Sequence, residues 1–571
     1  MRYYCNPLNL EYRYQFSRTV NPNGEKGKFT VFREAADPSL VLFKNFYYLF
    51  PSKTAGFFTS QDLINWEFHE FKQDMPIHDY APDVCVVGEY LYFCASKRNE
   101  NCSFFRTKNP LTEPFEEIKG TFPFWDPKLF LDDDGKLYLY WGCSNNEPIY
   151  GVELDSETMR SLTEPIVLIN SCEQERGYER NGEDHIPPKT EEEIQEQVEI
   201  MLMQSMKMAK IHNTELSAGD MRKKLYAYMS NRPNIEGAWM TKYNDKYYLE
   251  YAIPGTQYNI YGDGVYIGES PLGPFEPTKN NPYSYKPGGF ITGAGHGSTL
   301  KDKEGRYWHT STMRISLNHK FERRLGLWKA GFDEDGELFC DQRYGDWPVD
   351  IDKPPFSKPD WMLLSYGKKV RVSSGTGAEN VTDENIRTWW RASSNQHGEW
   401  VEVDLGKNYD VRAVQINFAD EQIKADLLSG EEPYKFSSLE ERYIDKLKQN
   451  TRWLLEGSLD GEEYFVIEDK RETHTDYAHD FMVWEEGIRV RFLKLTIEEL
   501  PYNAVPCVSG IRVFGLGEGN PPEKVENVTV NLDGDLDMVV SWKKPCEDSS
   551  VGYNILWGYA SDKLYHSYMV F

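Results

Sequence analysis

One unit recurs five times in the first 345 residues, and a chain built from such repeats must either stack them or close them into a ring. Each copy opens on an acidic or His-containing stretch. An apolar strand, a Gly/Asn/Asp turn, a Tyr-rich strand and a third strand follow. The copies begin ADPSLVLFKNFYYLF (36–50), APDVCVVGEYLYFCA (81–95), WDPKLFLDDDGKLYLYWG (125–142), EGAWMTKYNDKYYLEYA (236–252) and GHGSTLKDKEGRYWHTS (295–311). Turns such as DDDG, YNDK and DKEG between two strand-like runs are hairpin signals. The first three openings are spaced by about 45 residues, the size of one four-stranded blade. The pattern predicts a mainly β chain whose residues 1–350 form a five-bladed β-propeller, with the five openings facing one central cavity.

The repeat is interrupted once. Residues 188–230 read as two helices, with Met and Leu positions expected to pack on the flank of the ring and not to act as a lid. Composition narrows the partners. Asp plus Glu number 91 against 64 Lys plus Arg, a formal charge of −27 spread along the chain, which opposes a nucleic acid or an anionic membrane. A neutral carbohydrate is not repelled, and no protein partner is implied. Aromatic residues reach 14 %, which suits half-buried strands and equally suits stacking on sugar rings. The nine cysteines are scattered without a CxxC pair, so neither a disulfide framework nor a zinc site is expected. The N-terminus MRYYCNPLNLEYRYQF has no apolar signal region. A cytoplasmic protein is the expectation for this sequence, and a secreted one if the N-terminus was trimmed.

Three openings carry a carboxylate: Asp37 in ADPS, Asp126 in WDPK and Glu236 in IEGAW. Singly, an Asp-Pro is usually a turn. In register with the repeat, the three converge on one cavity. Inverting hydrolysis of a glycosidic bond needs such a set: one carboxylate to deprotonate water, and one carboxyl to protonate the leaving oxygen. The two stand roughly 6.5–9.5 Å apart. The acid must keep its proton near neutral pH, through burial or a neighbouring negative charge.

These stretches, with DLINW ending at Trp66, YAPDV and GAGHGS, resemble the signatures of glycoside hydrolase family 43, in that family's order over about residues 1–350. The resemblance implies Asp37 as general base, Asp126 as the residue that tunes and orients the acid, and Glu236 as general acid. No cofactor is implied for the chemistry. His296 matches the family's channel histidine, which implies either a buried calcium ion, ordered waters or a satisfied structural imidazole. Of Arg323 and Arg324, strand alternation sends one inward, and Arg324 is favoured as the one that reaches a sugar hydroxyl. Tyr80 and Trp125 are candidates for a stacking wall and equally for core. The activities implied are α-L-arabinofuranosidase or β-xylosidase on pentose-containing plant polysaccharide or oligosaccharide. The alternatives are a galactosidase or galactofuranosidase of the same family, or a non-catalytic glycan-binding propeller.

A Pro-rich linker, DIDKPPFSKPDWM (350–362), ends the repeat. Residues 363–516 resemble the discoidin-like (coagulation factor type C) β-sandwich, through AENVTDENIRTWWRASSNQHGEWVEVDLGK and RFLKLTIEELPYNAVPCVSGIRVFG. The resemblance implies a candidate carbohydrate-binding module, with Trp389 and Trp390 read as core. The charged stretch EPYKFSSLEERYIDKLKQNTRWLLEG inside it is expected to be a helical insertion. Residues 519–571 resemble the first half of a fibronectin type III domain, and such a sandwich would be expected to continue past Phe571.

Overall fold

The computed structural model describes residues 2–21, 23–75, 80–97, 100–182, 187–211, 214–437, 439–518, 521–545 and 552–571. The chain is mainly β. Five consecutive four-stranded antiparallel sheets follow one another as meanders. Their first strands are Ala36–Phe43, Asp83–Val87, Lys128–Leu131, Glu236–Tyr243 and Thr292–Lys301. Each first strand touches the next, and Thr292–Lys301 returns to Ala36–Phe43, so the sheets close a ring around their inner edges.

Side chains seal the joints. Asp83 accepts from Ser39 Oγ at 3.0 Å, from Lys128 Nζ at 2.9 Å and from the Leu129 amide at 2.8 Å, which ties the first three sheets together. Lys128 Nζ also lies 3.3 Å from the Trp239 ring centre, and Trp239 Nε1 donates to Thr299 O at 3.2 Å. Ser298 Oγ accepts the Leu40 amide at 3.1 Å and completes the circle. Between neighbouring sheets the apolar faces interlock; Phe50, Phe57 and Phe93 pack in one such seam, Leu129, Leu139 and Val152 in another.

The openings share one backbone device. Asp37, Ala81, Asp126 and His296 all adopt left-handed conformations, with φ of 47°, 56°, 49° and 52°, and Gly237 does so at 61°. In four of the five, the kinked amide is caught by a side chain of the preceding sheet. The Asp37 amide donates to Thr312 Oγ1 at 2.8 Å, Ala81 to Ser52 Oγ at 2.8 Å, Asp126 to Ser96 Oγ at 2.9 Å and His296 to Asp263 Oδ1 at 2.7 Å. At the fourth sheet, Ile235 and Ser144 exchange backbone hydrogen bonds of 2.9 and 3.1 Å. A left-handed non-glycine residue costs roughly 1–2 kcal/mol, so each kink persists only because its neighbour holds it.

The insertion forms two helices, Glu191–Ile211 and Ala218–Met229. Their apolar residues differ from expectation: Ile194, Val198 and Leu202 bury against Leu225 with Met201, Met206 and Met221, between the helices and not on the ring's flank. A two-helix hairpin covers its own stripe when both helices are amphipathic.

Residues matching the discoidin-like phrases build a β-sandwich-like unit, chiefly on Glu399–Phe418, His479–Glu499 and Cys507–Leu516. Trp390 is fully buried in its core with Val401, Val414, Trp453 and Leu495. The charged stretch read as helical is instead a hairpin, Tyr434–Ser437 and Glu440–Ile444. Its second strand pairs with Arg13–Thr19, which pairs in turn with Thr30–Glu34. Tertiary strand pairing overrides a local helical preference here. One sheet therefore joins the chain's beginning to its second unit. Buried ion pairs reinforce the junction: Arg33 binds Asp420 and Asp476, and Arg324 lies 3.4 Å from Asp420.

Beyond residue 520, the described strands form two separate hairpins, Glu526–Asp533 with Asp537–Lys543 and Tyr553–Trp557 with His566–Val570. The second docks on the ring, where Asn554 donates to Arg343 O at 3.0 Å and His566 meets Asn280 at 2.9 Å. Eight of the cysteines are described and all are free thiols; Cys546 lies outside the described residues.

Replacing Ser96 with Ala would leave the Asp126 amide buried without an acceptor. The expected loss is about 1–3 kcal/mol, read as a lower denaturation midpoint in urea. An unchanged midpoint would show that the kink does not depend on this hydroxyl.

Candidate active site

The left-handed kinks aim the opening side chains into the ring. Asp37, Asp126 and Glu236 are all buried there. Donor atoms of Asp126, Glu236 and Cys143 lie within 4.8 Å of one another. His296 Nδ1 stands between the remaining pair, 3.6 Å from Asp37 Oδ1 and 3.7 Å from Asp126 Oδ2. Gly237 makes room for this imidazole: a Cβ at its position would lie 2.7 Å from the His296 ring.

Asp37 and Asp126 are held in opposite states. Burial pushes the Asp37 carboxyl upward, but the Arg323 guanidinium, His296 and the Ser52 hydroxyl outweigh it and hold Asp37 below the usual carboxylate range. Arg323 donates to Asp37 Oδ1 at 3.0 Å and Ser52 to Oδ2 at 2.8 Å. For Asp126, burial is joined by the charges of Glu236 and Asp37, and its carboxyl is pushed well above the usual range. Asp37 is thus held ionised near neutral pH, while the Asp126 carboxyl is held protonated.

Glu236 is fixed from two sides. Tyr261 Oη donates to Oε1 at 2.6 Å and the Cys143 thiol to Oε2 at 3.1 Å. Burial, then Asp126 and Glu236, push the thiol well above its ordinary value, so it stays protonated and a donor. Cys143 also lines a cleft of about 220 Å³ with Trp125, Trp141 and Tyr150. Cys143 thus links Glu236 to an aromatic-walled cleft.

The structure brings Asp37, Asp126, Glu236 and His296 together, and sets Trp125 at the edge of that cleft. Tyr80 is buried instead: its ring is covered by Phe321 and Phe436, with Lys53 Nζ 4.1 Å from the ring centre. Arg324 is the wrong member of its pair. Arg323 reaches Asp37, whereas Arg324 points to the opposite face of the strand, to His479 at 2.9 Å and the Arg33 carbonyl at 2.8 Å. Alternation held, but its parity could not be read from the chain. Cys143, Tyr261, Asp263 and Ser52 were not singled out from the sequence. The repeat carried a signal for some of them, since LFPS, FCAS and WGCS place Ser52, Ser96 and Ser144 alike after the second strand.

Calcium fits this site poorly. It needs about six to eight oxygen ligands, whereas His296 offers one nitrogen, and the nearby Asp37 oxygens are already bonded to Arg323 and Ser52. Asp263 accepts the His296 amide and meets His309 Nε2 at 3.0 Å. His296 thus lies between two carboxylates with its backbone amide fixed by Asp263.

The model of glycosyl hydrolases family 43 matches residues 30–186 and 193–338, more than half of the chain. The chain belongs to this family. It is a glycosidase. Residues 367–429 match the F5/8 type C domain. Among curated relatives, a xylosidase/arabinosidase 43A of Humicola insolens is 24 % identical over 278 residues, covering 46 % of this chain and 75 % of that protein. A xylosidase/arabinosidase of Bacteroides ovatus is 24 % identical over 276 residues, covering 42 % and 75 %. A solved structure, the Bacteroides ovatus xyloglucan-locus protein GH43B, aligns over 90 % of this chain and 98 % of its own with 12 % identity and a TM-score of 0.43.

With Asp37 as the base that the family resemblance implies, it must be ionised to take a proton, so the rate of this family 43 glycosidase should fall as pH drops through its pKa. Removing the charge that depresses that pKa raises it. Arg323→Gln is therefore expected to move the acid limb of the kcat/KM profile to higher pH. A limb that stays in place would remove Arg323 as the group that holds Asp37 ionised.

Proposed function

We propose that this chain is an inverting, five-bladed-propeller glycosidase that releases arabinofuranosyl or xylosyl units from pentose-containing plant oligosaccharide or polysaccharide. The observation that carries the reading is the split within one buried carboxylate set. Asp37 is held ionised on one side of His296, and Asp126 is held protonated on the other by burial and by the charges of Glu236 and Asp37. The names of the two relatives, each a xylosidase/arabinosidase, support the sugar class. The closed ring of five sheets supports the propeller.

In this mechanism Asp37 takes a proton from a water as that water attacks the anomeric carbon. The glycosidic bond breaks, and the leaving oxygen takes the proton from Glu236. Asp126, held protonated within 4.8 Å of Glu236, supplies the proton on which that acid draws. Arg323 and Ser52 fix the lone pairs of the base, and Tyr261 and Cys143 fix the carboxyl of the acid. Preorganised positioning of this kind spares reorganisation at the transition state. Trp125 would meet the leaving sugar in the cleft beside Cys143. The fibronectin-like reading of residues 519–571 rests on their sequence phrases, and sugar binding by residues 363–516 on the match to its domain family.

Aryl α-L-arabinofuranoside, β-D-xyloside, β-D-galactoside and β-D-galactofuranoside, offered to wild type and Glu236→Ala, test the reading. Turnover of a pentoside is expected, with a loss of about 10²–10⁴-fold in the variant. Proton NMR of the first-formed sugar should show the inverted anomer. Retention, or a Glu236→Ala variant as fast as wild type, would overturn the proposal.

A further inference from the structure

The hairpin that the second unit lends to the N-terminal sheet ends at the active site. Its strand Glu440–Ile444 buries Arg442 completely. Arg442 Nη2 donates to Glu34 Oε2 at 2.6 Å. The other oxygen of Glu34 accepts from Arg323 Nη2 at 2.7 Å, and Arg323 Nη1 donates to Asp37 Oδ1 at 3.0 Å. Four buried charges, alternating in sign, thus run from a residue of the second unit to Asp37. Arg442 and Glu34 are 408 positions apart in the chain.

Stability alone accounts poorly for this arrangement. Burying an arginine is costly unless its donors are met, yet Arg442 Nε and Nη1 make no hydrogen bond among the described residues. The nearest other carboxylate, Glu440, is 3.8 Å from Nε. The guanidinium is instead boxed by rings: its carbon lies 5.6 Å from the centre of Phe32, 5.6 Å from Tyr80 and 5.5 Å from Phe436. The same Tyr80 ring lies 5.2 Å from the Arg323 guanidinium carbon. The box fixes where Arg442 sits, Arg442 fixes Glu34, and Glu34 sets the direction of the Arg323 fork. A planar guanidinium held at one edge by Glu34 presents its other nitrogen to Asp37 in a single geometry.

We propose that Arg442, acting through Glu34 and Arg323, is a positioning residue for Asp37, so that the second unit is part of the catalytic machinery and not only an appended module. This rests on the reading of Asp37 as the base. Without Arg442, the Glu34 carboxylate has one cation left to bind, and it draws Arg323 away from Asp37. The binding surface for the sugar stays in place while the base loses its orientation.

The test is a kinetic double-mutant cycle on the full chain with an aryl pentoside, using Arg442→Gln, Glu34→Gln, the double variant and Arg442→Lys. A base displaced by an ångström can cost on the order of 10²-fold. Arg442→Gln is expected to lower kcat at least about tenfold, while KM stays within about twofold of wild type. Arg442→Lys should recover most of the loss. The double variant should be no slower than the worse single one, because both changes cut the same link. Unchanged kcat, a loss carried by KM, or losses that simply multiply would overturn the proposal. If circular dichroism shows Arg442→Gln unfolded at the assay temperature, Glu34→Gln decides by the same kcat-against-KM split. Asp37→Asn, run in parallel, separates the two readings. Activity in Asp37→Asn would defeat the base assignment. An inactive Asp37→Asn beside a wild-type-like Arg442→Gln would defeat only the positioning role.

Discussion

The left-handed kink at the opening of each inner strand is the constraint on which the rest of the molecule depends. A strand that simply ran inward would alternate its side chains between its two faces and carry no residue to the centre. A kink with φ near 50° turns Asp37, Asp126 and His296 inward. Such backbone is unfavourable for any residue with a Cβ. Each kink is therefore bonded to the sheet before it, through Thr312, Ser52, Ser96 and Asp263. The bonds that tolerate the strain are also those that close the ring, so the site and the architecture cannot be separated. Ala81 shows the same backbone with no carboxylate on it, which marks the kink as a property of the repeat and the chemistry as an addition to it.

Charge does the second half of the work. Three carboxylates within one buried ring would repel one another and all protonate if nothing distinguished them. The arginine from the fifth sheet removes Asp37 from that competition. Asp126, buried beside Glu236 and Asp37, is instead pushed well above the usual carboxylate range. An ionised and a protonated carboxyl are thus produced from the same residue type by one asymmetrically placed cation. That cation is itself held by Glu34 and, across the junction, by a guanidinium of the second unit.

Much of this was legible in the chain. Repeat spacing, the three openings and their carboxylates follow from residue types in register, because hairpin turns and strand alternation are local. The site's supporting residues were half legible. Ser52 and Ser96 recur at one repeat position, whereas Asp263 lies on a third strand and Tyr261 just before it, with nothing in their surroundings to mark them. Cys143 looked like one of nine scattered thiols. Its role depends on lying within 3.1 Å of Glu236, 93 residues away.

What the sequence by itself determined was the mainly β repeat, the carboxylates that stand at three of its openings, and the membership of two recognisable domain families. What only the tertiary structure decided was orientation and partnership. Arg323 and Arg324 are chemically equal neighbours, and only the register of their strand against the ring says which one faces Asp37. The charged stretch EPYKFSSLEERYIDKLKQNTRWLLEG reads as a helix, and only the free edge of Arg13–Thr19 makes a hairpin of Tyr434–Ser437 and Glu440–Ile444 within it. The physical reason is the same in both cases. Local preferences are worth tenths of a kcal/mol to about 1 kcal/mol per residue, and they yield to hydrogen bonds and buried charges contributed by segments hundreds of residues away.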